Sequence, residues 1–240
     1  MSSRVYLCCT DFSGMPSDQE SDSFFSVSGT EYEANTRIPL FWLCLFVGSD
    51  IKIVPGGKSY VPESSDEEAI DEDFDEENHH LLYDDESYRP YAYLSCLRTE
   101  GIDQLKRRSE MMLAALGAEC HALYLEWIVR LEAEPFQYIL IRTEELDGMG
   151  DDGELEGLLR RSIGDLERAT QTKALLMSSD INNLVGLSED SVLSKCEAYE
   201  LVGSANSALQ WPSRSLSKEL AAAEPNVAPP KKSKWMFWKR

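Results

Sequence analysis

Short apolar segments bounded by polar residues and turns predict several β-strands. Their residues are mainly Val, Ile, Leu, Tyr, Phe and Cys, which suit a pleated and buried surface. One of them, IKIV, alternates apolar and polar positions and runs into the turn Pro55-Gly56-Gly57. The predicted strands of this kind are 4–9, 51–54, 91–97 and 136–141.

The longest apolar run, 38–47, has no charged side chain, and its residues 38–46 are the strongest strand candidate. A run of this length and character predicts a central strand that is covered on both faces of a sheet. Gly48-Ser49-Asp50 follows it directly, so we expect a hairpin that pairs residues 38–47 with 51–54.

Apolar residues that repeat every three or four positions predict the helices. We expect Thr99 to cap a helix over 101–116, with Leu113 on its apolar stripe, and Gly117 to end it. A second helix over 118–134 is expected to stop before Pro135. The other predicted helices are a short one from Ser17, a long one over 152–174 and a short one from Ser188 through Tyr199.

Strands and helices interleave without regular βαβ spacing, which favours an α+β fold with a mixed or antiparallel sheet packed with several helices. An acidic loop insertion and an extended C-terminal tail complete the expected organisation. Along the chain we expect a strand-rich part at 1–61, an acidic flexible segment at 62–89, an α/β-helical part of the same core at 90–205, and a linker with a basic-aromatic tail at 206–240.

The charge of the chain says more about its binding partners than its overall composition does. Acidic residues outnumber basic ones by 43 to 23, so the formal net charge is −20. Thirteen carboxylates, and no Lys or Arg, fall between Glu63 and Glu86. A field of this sign repels nucleic acid and anionic lipid and attracts basic protein surfaces. The charge therefore predicts a basic protein partner, no nucleic acid binding and no stable membrane insertion.

The last ten residues, KKSKWMFWKR, carry the opposite charge, with five basic groups and no acid. Without those five positive charges the formal net charge falls from −20 to −25. Basic residues interleaved with Trp235, Phe237 and Trp238 suit an anionic membrane surface or a nucleic-acid stacking platform. The alternatives are that the tail folds back on the acidic body or docks on a partner.

The opening residues, the short apolar runs and the cysteine positions together predict a cytoplasmic protein. The opening residues do not follow the signal-peptide pattern, and the apolar runs are shorter than the roughly 20 residues of a spanning helix. Six cysteines are scattered without a CxxC pair, and several lie inside apolar runs. We therefore expect reduced, structural thiols.

Motifs for nucleotide and calcium binding are incomplete. Gly56-Gly57-Lys58-Ser59 lacks the earlier glycine and the following helix of a phosphate loop, so we interpret it as a turn. Asp71, Asp73 and Asp75 have the spacing that opens a calcium loop, but the turn glycine and the final glutamate are missing. No cofactor is predicted.

Histidine and cysteine positions do not indicate catalysis or a metal site. His79 and His80 are adjacent and lack metal-ligand spacing. Cys120 and His121 are neighbours on a predicted helix, where their side chains do not face each other. The sequence therefore predicts neither catalytic nor metal-binding residues, and we expect a protein that is not an enzyme.

A second acidic group follows the strand at 136–141. It could hold Mg²⁺ or work as an acid–base pair, but we interpret it as a solvated loop that extends the acidic binding face. The predicted partner-binding residues are carboxylates from both groups: Asp66, Glu67, Glu68, Asp71, Glu72, Asp73, Asp75, Glu76, Glu77, Glu144, Glu145, Asp151 and Asp152.

In overall character the chain resembles the cytoplasmic immunity proteins that bacteria make against type VI secretion toxins. The resemblance rests on the opening RVYLCCTDF, the apolar IPLFWLCLF and the acidic run 63–86. It implies an inhibitor that binds a cognate toxin directly, such as a nuclease, whose substrate cleft must be basic. The alternatives are an adaptor or chaperone for a basic secreted protein, and an enzyme without a recognisable motif.

Overall fold

One antiparallel sheet organises the protein. The computed structural model describes residues 4–17, 20–26, 31–54, 90–188, 191–205 and 211–212. Within these residues the strands are β1 (Arg4–Thr10), β2 (Glu31–Asn35), β3 (Ile51–Val54), β4 (Tyr91–Leu97), β5 (Tyr138–Arg142) and β6 (Ser204–Ala205). They pair in the order β3-β4-β5-β1-β2-β6, and every neighbouring pair is antiparallel.

Helices and short turns surround this sheet, so the predicted α+β fold is confirmed. In the part of the chain that the structure describes, two 3₁₀ turns accompany the helices, at Gly48–Asp50 and Leu193–Lys195. The α-helices of the described residues are α1 (Ser21–Ser26), α2 (Leu40–Leu43), α3 (Arg98–Ala133), α4 (Glu144–Asp147), α5 (Glu154–Thr172), α6 (Ser179–Val185) and α7 (Ala198–Val202).

Both faces of the central strands are buried. Along β5, Ile139 and Ile141 face the main core, whereas Leu140 faces a smaller cluster on the opposite side. Phe12 and Phe24, from the segment after β1, cover this second face. Because side chains alternate along a strand, covering both faces requires an apolar residue at nearly every position. This explains why 91–97 and 136–141 are readily predicted as strands.

The apolar run 38–46 is not a strand, so that prediction is wrong. Leu40–Leu43 form α2, and Pro39 stands at its N-cap, where its fixed φ of −52° and missing N–H are tolerated. Gly48–Asp50 is a 3₁₀ turn and β3 pairs with β4, so the expected hairpin does not form. A continuous apolar run indicates burial, which a short core helix satisfies as well as a strand does.

A buried arginine donates hydrogen bonds to carbonyl groups at and just after the end of α2. Arg108 on α3 is 1% exposed, and its Nη1 donates to the carbonyl oxygens of Cys44 at 2.8 Å and Phe46 at 2.9 Å. The last carbonyls of a helix have no partner within the helix. The guanidinium supplies that partner and so joins α2 to α3.

Helix α3 is broken at Gly117, whose φ of 73° and ψ of 171° are not helical. The break confirms the prediction of two helices. The second of them ends at Ala133, before Pro135, as predicted. The first helix begins at Arg98, with Leu97 at its N-cap, so the prediction that Thr99 caps it is wrong. Leu113 is 44% exposed, which contradicts its predicted place on the apolar stripe.

The C-terminal helices agree with the sequence only in part. Helix α5 confirms the prediction over 152–174, but α6 is missed, although the Ser178 hydroxyl caps it by accepting the N–H of Ile181 at 3.3 Å. The single helix predicted from Ser188 is wrong: a 3₁₀ turn at Leu193–Lys195 and the separate helix α7 occupy this part of the chain.

By length and composition alone, α3 would be able to cross a membrane. Its most apolar 18-residue window has a mean hydropathy of 1.3, and 33% of that window is buried in the protein. Core helices of soluble proteins meet the same criteria. The break at Gly117 and the buried Arg108 and Trp127 are the structural features that suit a packed helix.

Candidate functional site

The carboxylates that follow β5 lie on α4 and on the loop at 148–153. At the end of β5 the Thr143 hydroxyl donates to the carbonyl of Ala92 on β4. The N–H of Asp147 then donates to the Thr143 carbonyl at 2.8 Å. These bonds start α4 directly at the end of a central strand, and α4 packs beside α5.

Glu144 is held in an internal ion pair. Its Oε1 accepts from Nη2 of Arg142 at 2.6 Å and from Nε at 2.8 Å. The Arg142 side chain is only 16% exposed, and its guanidinium lies over the rings of Tyr6 and Phe25. Glu31 is a further carboxylate within 3.9 Å of this guanidinium. Glu144 was predicted to bind a partner, but its carboxylate is engaged inside the protein.

The other predicted carboxylates of this group are exposed. They are Glu145 on α4 and Asp151 and Asp152 on the following loop. One oxygen of Glu145 accepts the backbone N–H of Arg4 at 2.6 Å. Asp147, by contrast, is only 3% exposed. The structure therefore leaves three of the four predicted partner-binding residues at 144–152 at the surface.

A cleft with a volume of 230 Å³ opens between α4, the 148–153 loop, α5 and α6. Its walls are mainly apolar, and its polar lining comes from Asp147, Glu154 and Asn183. Met149 belongs to the wall and is 62% exposed. The remaining lining residues are Leu146, Gly150, Leu155, Leu158 and Leu184.

Apolar walls with carboxylates among them suit a long cationic side chain. Lys and Arg bury their aliphatic stems against apolar surface while the charged end stays near water or a carboxylate. Small-molecule sites usually have roughly 300–1,000 Å³, so this cleft is smaller than most of them. Its volume is sufficient for one Lys or Arg side chain, and the exposed Asp151 and Asp152 on the adjoining loop would attract such a charge.

The loop beside the cleft is held by the first residue of α5. Oε2 of Glu154 accepts the backbone N–H of Asp151 at 3.0 Å. A Cβ on Gly150 would lie only 2.7 Å from the same oxygen, so a larger residue there would displace this carboxylate. Gly150 and Glu154 together fix the position of the acidic loop.

The six cysteines are free thiols within the described residues, and none has the character of a nucleophile. Burial raises the pKa of every one of these thiols, and the Glu31 carboxylate raises that of Cys8 further. Since the thiolate is the reactive form, a raised pKa keeps a cysteine unreactive near neutral pH.

Cys120 and His121 do not form a catalytic pair. Nε2 of His121 lies 2.9 Å from the Ser109 hydroxyl, and its ring stacks on Tyr124. The Cys120 thiol approaches the carbonyl of Ser194 at 3.8 Å. Among the described residues, no group of three or more His, Cys, Asp or Glu side chains is arranged to hold a metal ion.

Several sequence predictions fall outside the described residues. These include the turn at 56–59, the adjacent His79 and His80, and the tail at 231–240. The partner-binding carboxylates of the acidic segment also fall there: Asp66, Glu67, Glu68, Asp71, Glu72, Asp73, Asp75, Glu76 and Glu77.

Sequence reasoning misses the apolar part of the cleft. Leu146, Leu155 and Leu184 come from three separate helices and meet only through folding. The one local signal was for α6, because Ser178 and Gly186 are suitable residues for the two ends of a helix. These two residues predict α6, the helix that carries Leu184 and forms the third wall of the cleft.

The chain has no match among protein-family models, curated proteins or solved structures with which it was compared.

Proposed function

We propose that this protein is an acidic binding protein that neutralises a basic protein partner by direct contact. The cleft beside α4 carries the proposal, because it joins apolar walls to carboxylates at the place where the sequence has its second acidic group. The net charge of −20 supports it by favouring rapid encounter with a basic surface.

The proposed class of partner is a toxin that the protein inhibits, as an immunity protein does. Two properties support inhibition by binding rather than chemistry. Burial raises the pKa of the thiols, and His121 is engaged by Ser109 and Tyr124. A nuclease toxin would present the basic cleft that an acidic surface covers well.

The test is capture from the native source with variants that differ in one exposed apolar residue. Met149→Lys puts a cation into the cleft wall, and Leu176→Lys puts the same cation at a position that is 81% exposed and does not line the cleft. At low and moderate salt, we expect wild type and Leu176→Lys to retain one dominant basic protein that Met149→Lys loses. Mass spectrometry identifies the retained protein.

The inhibitory role is tested by expressing the retained protein alone and together with this chain. We expect growth arrest in the first case and recovery in the second, with Met149→Lys failing to restore growth. Retention of several secreted proteins without toxicity would favour an adaptor or chaperone. Equal capture by Met149→Lys and wild type would refute the cleft as the binding site.

A further inference from the structure

The second half of α3 exposes an apolar stripe on the side that faces away from the core. The stripe consists of Ala118, Ala122, Leu125 and Val129, all of them exposed. Leu125 is 47% exposed and Val129 is 61% exposed. We call these four residues the outer stripe. Trp127 on the opposite side of the same helix is fully buried, so the helix is apolar on both sides.

The spacing of the outer stripe is that of a helix seam. Its members follow one another at intervals of four, three and four residues, which matches the a and d positions of a heptad. Small alanines at one end allow a partner backbone to approach closely, while Leu125 and Val129 offer larger apolar area. Such a face suits a short apolar or aromatic segment laid along it.

Charges beside the stripe favour a basic occupant. Glu119 is exposed next to Ala118 and supplies the acidic border. The Glu126 side chain, next to Leu125, is 45% exposed, but its Oε1 already accepts from Arg130 and Trp211. A second copy of this protein would bring the same carboxylates and the same negative body to the contact, which opposes self-association. A segment that combines aromatic and basic residues satisfies both the apolar stripe and its acidic border.

The chain itself returns to the flank of this helix. The Trp211 ring stacks on Trp127 at 5.7 Å, its Nε1 donates to Glu126 Oε1 at 2.6 Å, and the Arg130 guanidinium lies 4.4 Å from its ring centre. Glu126 and Arg130 are the direct neighbours of Leu125 and Val129 on the helix. Trp211 therefore lies on the flank of α3 between Trp127 and the outer stripe, and the chain continues from there.

We propose that residues 231–240 of the same chain dock on the outer stripe, with their aromatic side chains on Leu125 and Val129 and their basic groups toward Glu119. Residues 213–230 connect them to Trp211 and span at most about 60 Å, whereas the stripe is about 17 Å long. Reach is thus no obstacle, and the covalent link gives the tail a high effective concentration at this face.

Trypsin cleavage of the full-length protein tests the docking, because Lys232 and Lys234 lie in the proposed segment. Intact-mass spectrometry follows cleavage after these two lysines at low salt. We expect the double variant Leu125→Ser/Val129→Ser to be cut about tenfold faster than wild type, since it loses the burial of two apolar side chains. Leu176→Ser, a change at another exposed leucine, should be cut like wild type.

A charge variant and two alternative occupants complete the test. Glu119→Gln should speed cleavage by a smaller factor than the double variant, and only at low salt. Equal cleavage rates in wild type and the double variant would refute the proposal. It would also be overturned if wild type sediments as a dimer that the double variant breaks, or if phosphatidylserine vesicles are needed to protect the tail.

Discussion

Nη1 of Arg108 donates to the carbonyl oxygen of Cys44 at 2.8 Å in the interior of the protein. The same nitrogen reaches the carbonyl of Phe46 at 2.9 Å, so one cation serves the end of α2 and the turn after it. No ion pair to a described carboxylate accompanies it within 4.0 Å. Carbonyl dipoles therefore provide the immediate stabilisation of this buried charge.

Replacing Arg108 by Met should destabilise the protein strongly. The change leaves the carbonyls of Cys44 and Phe46 buried without a donor, and bonds from a charged donor are worth about 1.5–3 kcal/mol each. We expect the free energy of unfolding in urea to fall by about 2–4 kcal/mol. Arg107→Met is the matched control, because Arg107 is exposed and should change stability by less than about 0.5 kcal/mol. Equal effects of the two variants would contradict this role for Arg108.

Gly203 should tolerate alanine far less well than Gly153 does. Both have positive φ, 69° and 71°, but a Cβ on Gly203 would lie 2.6 Å from Cζ2 of Trp42, whereas Gly153 has no atom within 4 Å. Trp42 cannot move easily, because it is fully buried and bonded to the Val202 carbonyl. Gly153→Ala should cost about 1 kcal/mol from backbone strain alone, and Gly203→Ala at least about 3 kcal/mol. Thermal melts of the two variants measure this difference, and equal melting temperatures would contradict the clash at Gly203.

The sequence predicts an element well when its pattern of apolar residues fits only one type of secondary structure. The stripe of Leu123, Tyr124 and Trp127 repeats at helical spacing, and all three residues are buried on α3. Gly117 marks the break because its φ of 73° favours glycine. The run 38–46 has no periodicity of its own, so its conformation depends on Pro39 and on packing, which a pattern does not reveal.

The candidate site, too, can be predicted from the sequence only in part. Its carboxylates are visible as a cluster in the sequence, and Asp151 and Asp152 are exposed as predicted. Two features depend on contacts between distant parts of the chain and were missed. The rings of Tyr6 and Phe25 cover the Arg142 guanidinium and so make its local ion pair with Glu144 an internal one, and Leu184 closes the cleft from α6. Sequence spacing carries no information on such long-range contacts.

Raising the pH above 9 should reduce stability partly through Cys44. Burial raises the pKa of its thiol from 9.0 to about 11, against the opposing effect of the Arg108 charge. The unfolded chain therefore loses this proton at a lower pH than the folded protein does, and the stability falls as pH rises from 9 toward 11. The loss from this one group should be roughly 2–3 kcal/mol.

Cys44→Ala tests this assignment, because it removes the titrating group. In urea unfolding at pH 8 and pH 10.5, the variant should lose less stability between the two pH values than wild type does. Its absolute stability will be lower at pH 8, since a buried side chain is shortened, so the comparison concerns the difference only. Cys120→Ala, at a half-buried thiol, is the control. Identical pH dependence in wild type and Cys44→Ala would contradict the prediction.

The acidic run and the cleft should affect different rate constants of binding to the partner obtained by capture. Carboxylates at the edge of an interface act mainly on association through long-range attraction, whereas a filled cleft acts on dissociation. Replacing Asp71, Glu72, Asp73, Asp75, Glu76 and Glu77 by their amides should slow association and flatten its dependence on salt.

Met149→Ala should leave association nearly unchanged and speed dissociation by about 5- to 30-fold, the equivalent of about 1–2 kcal/mol of lost contact. Surface plasmon resonance at several salt concentrations separates the two effects. Asp103→Asn/Glu110→Gln controls for loss of charge elsewhere, because both residues are exposed on the first half of α3. An unchanged salt slope after all six replacements would mean that the run takes no part in binding, even if the cleft does.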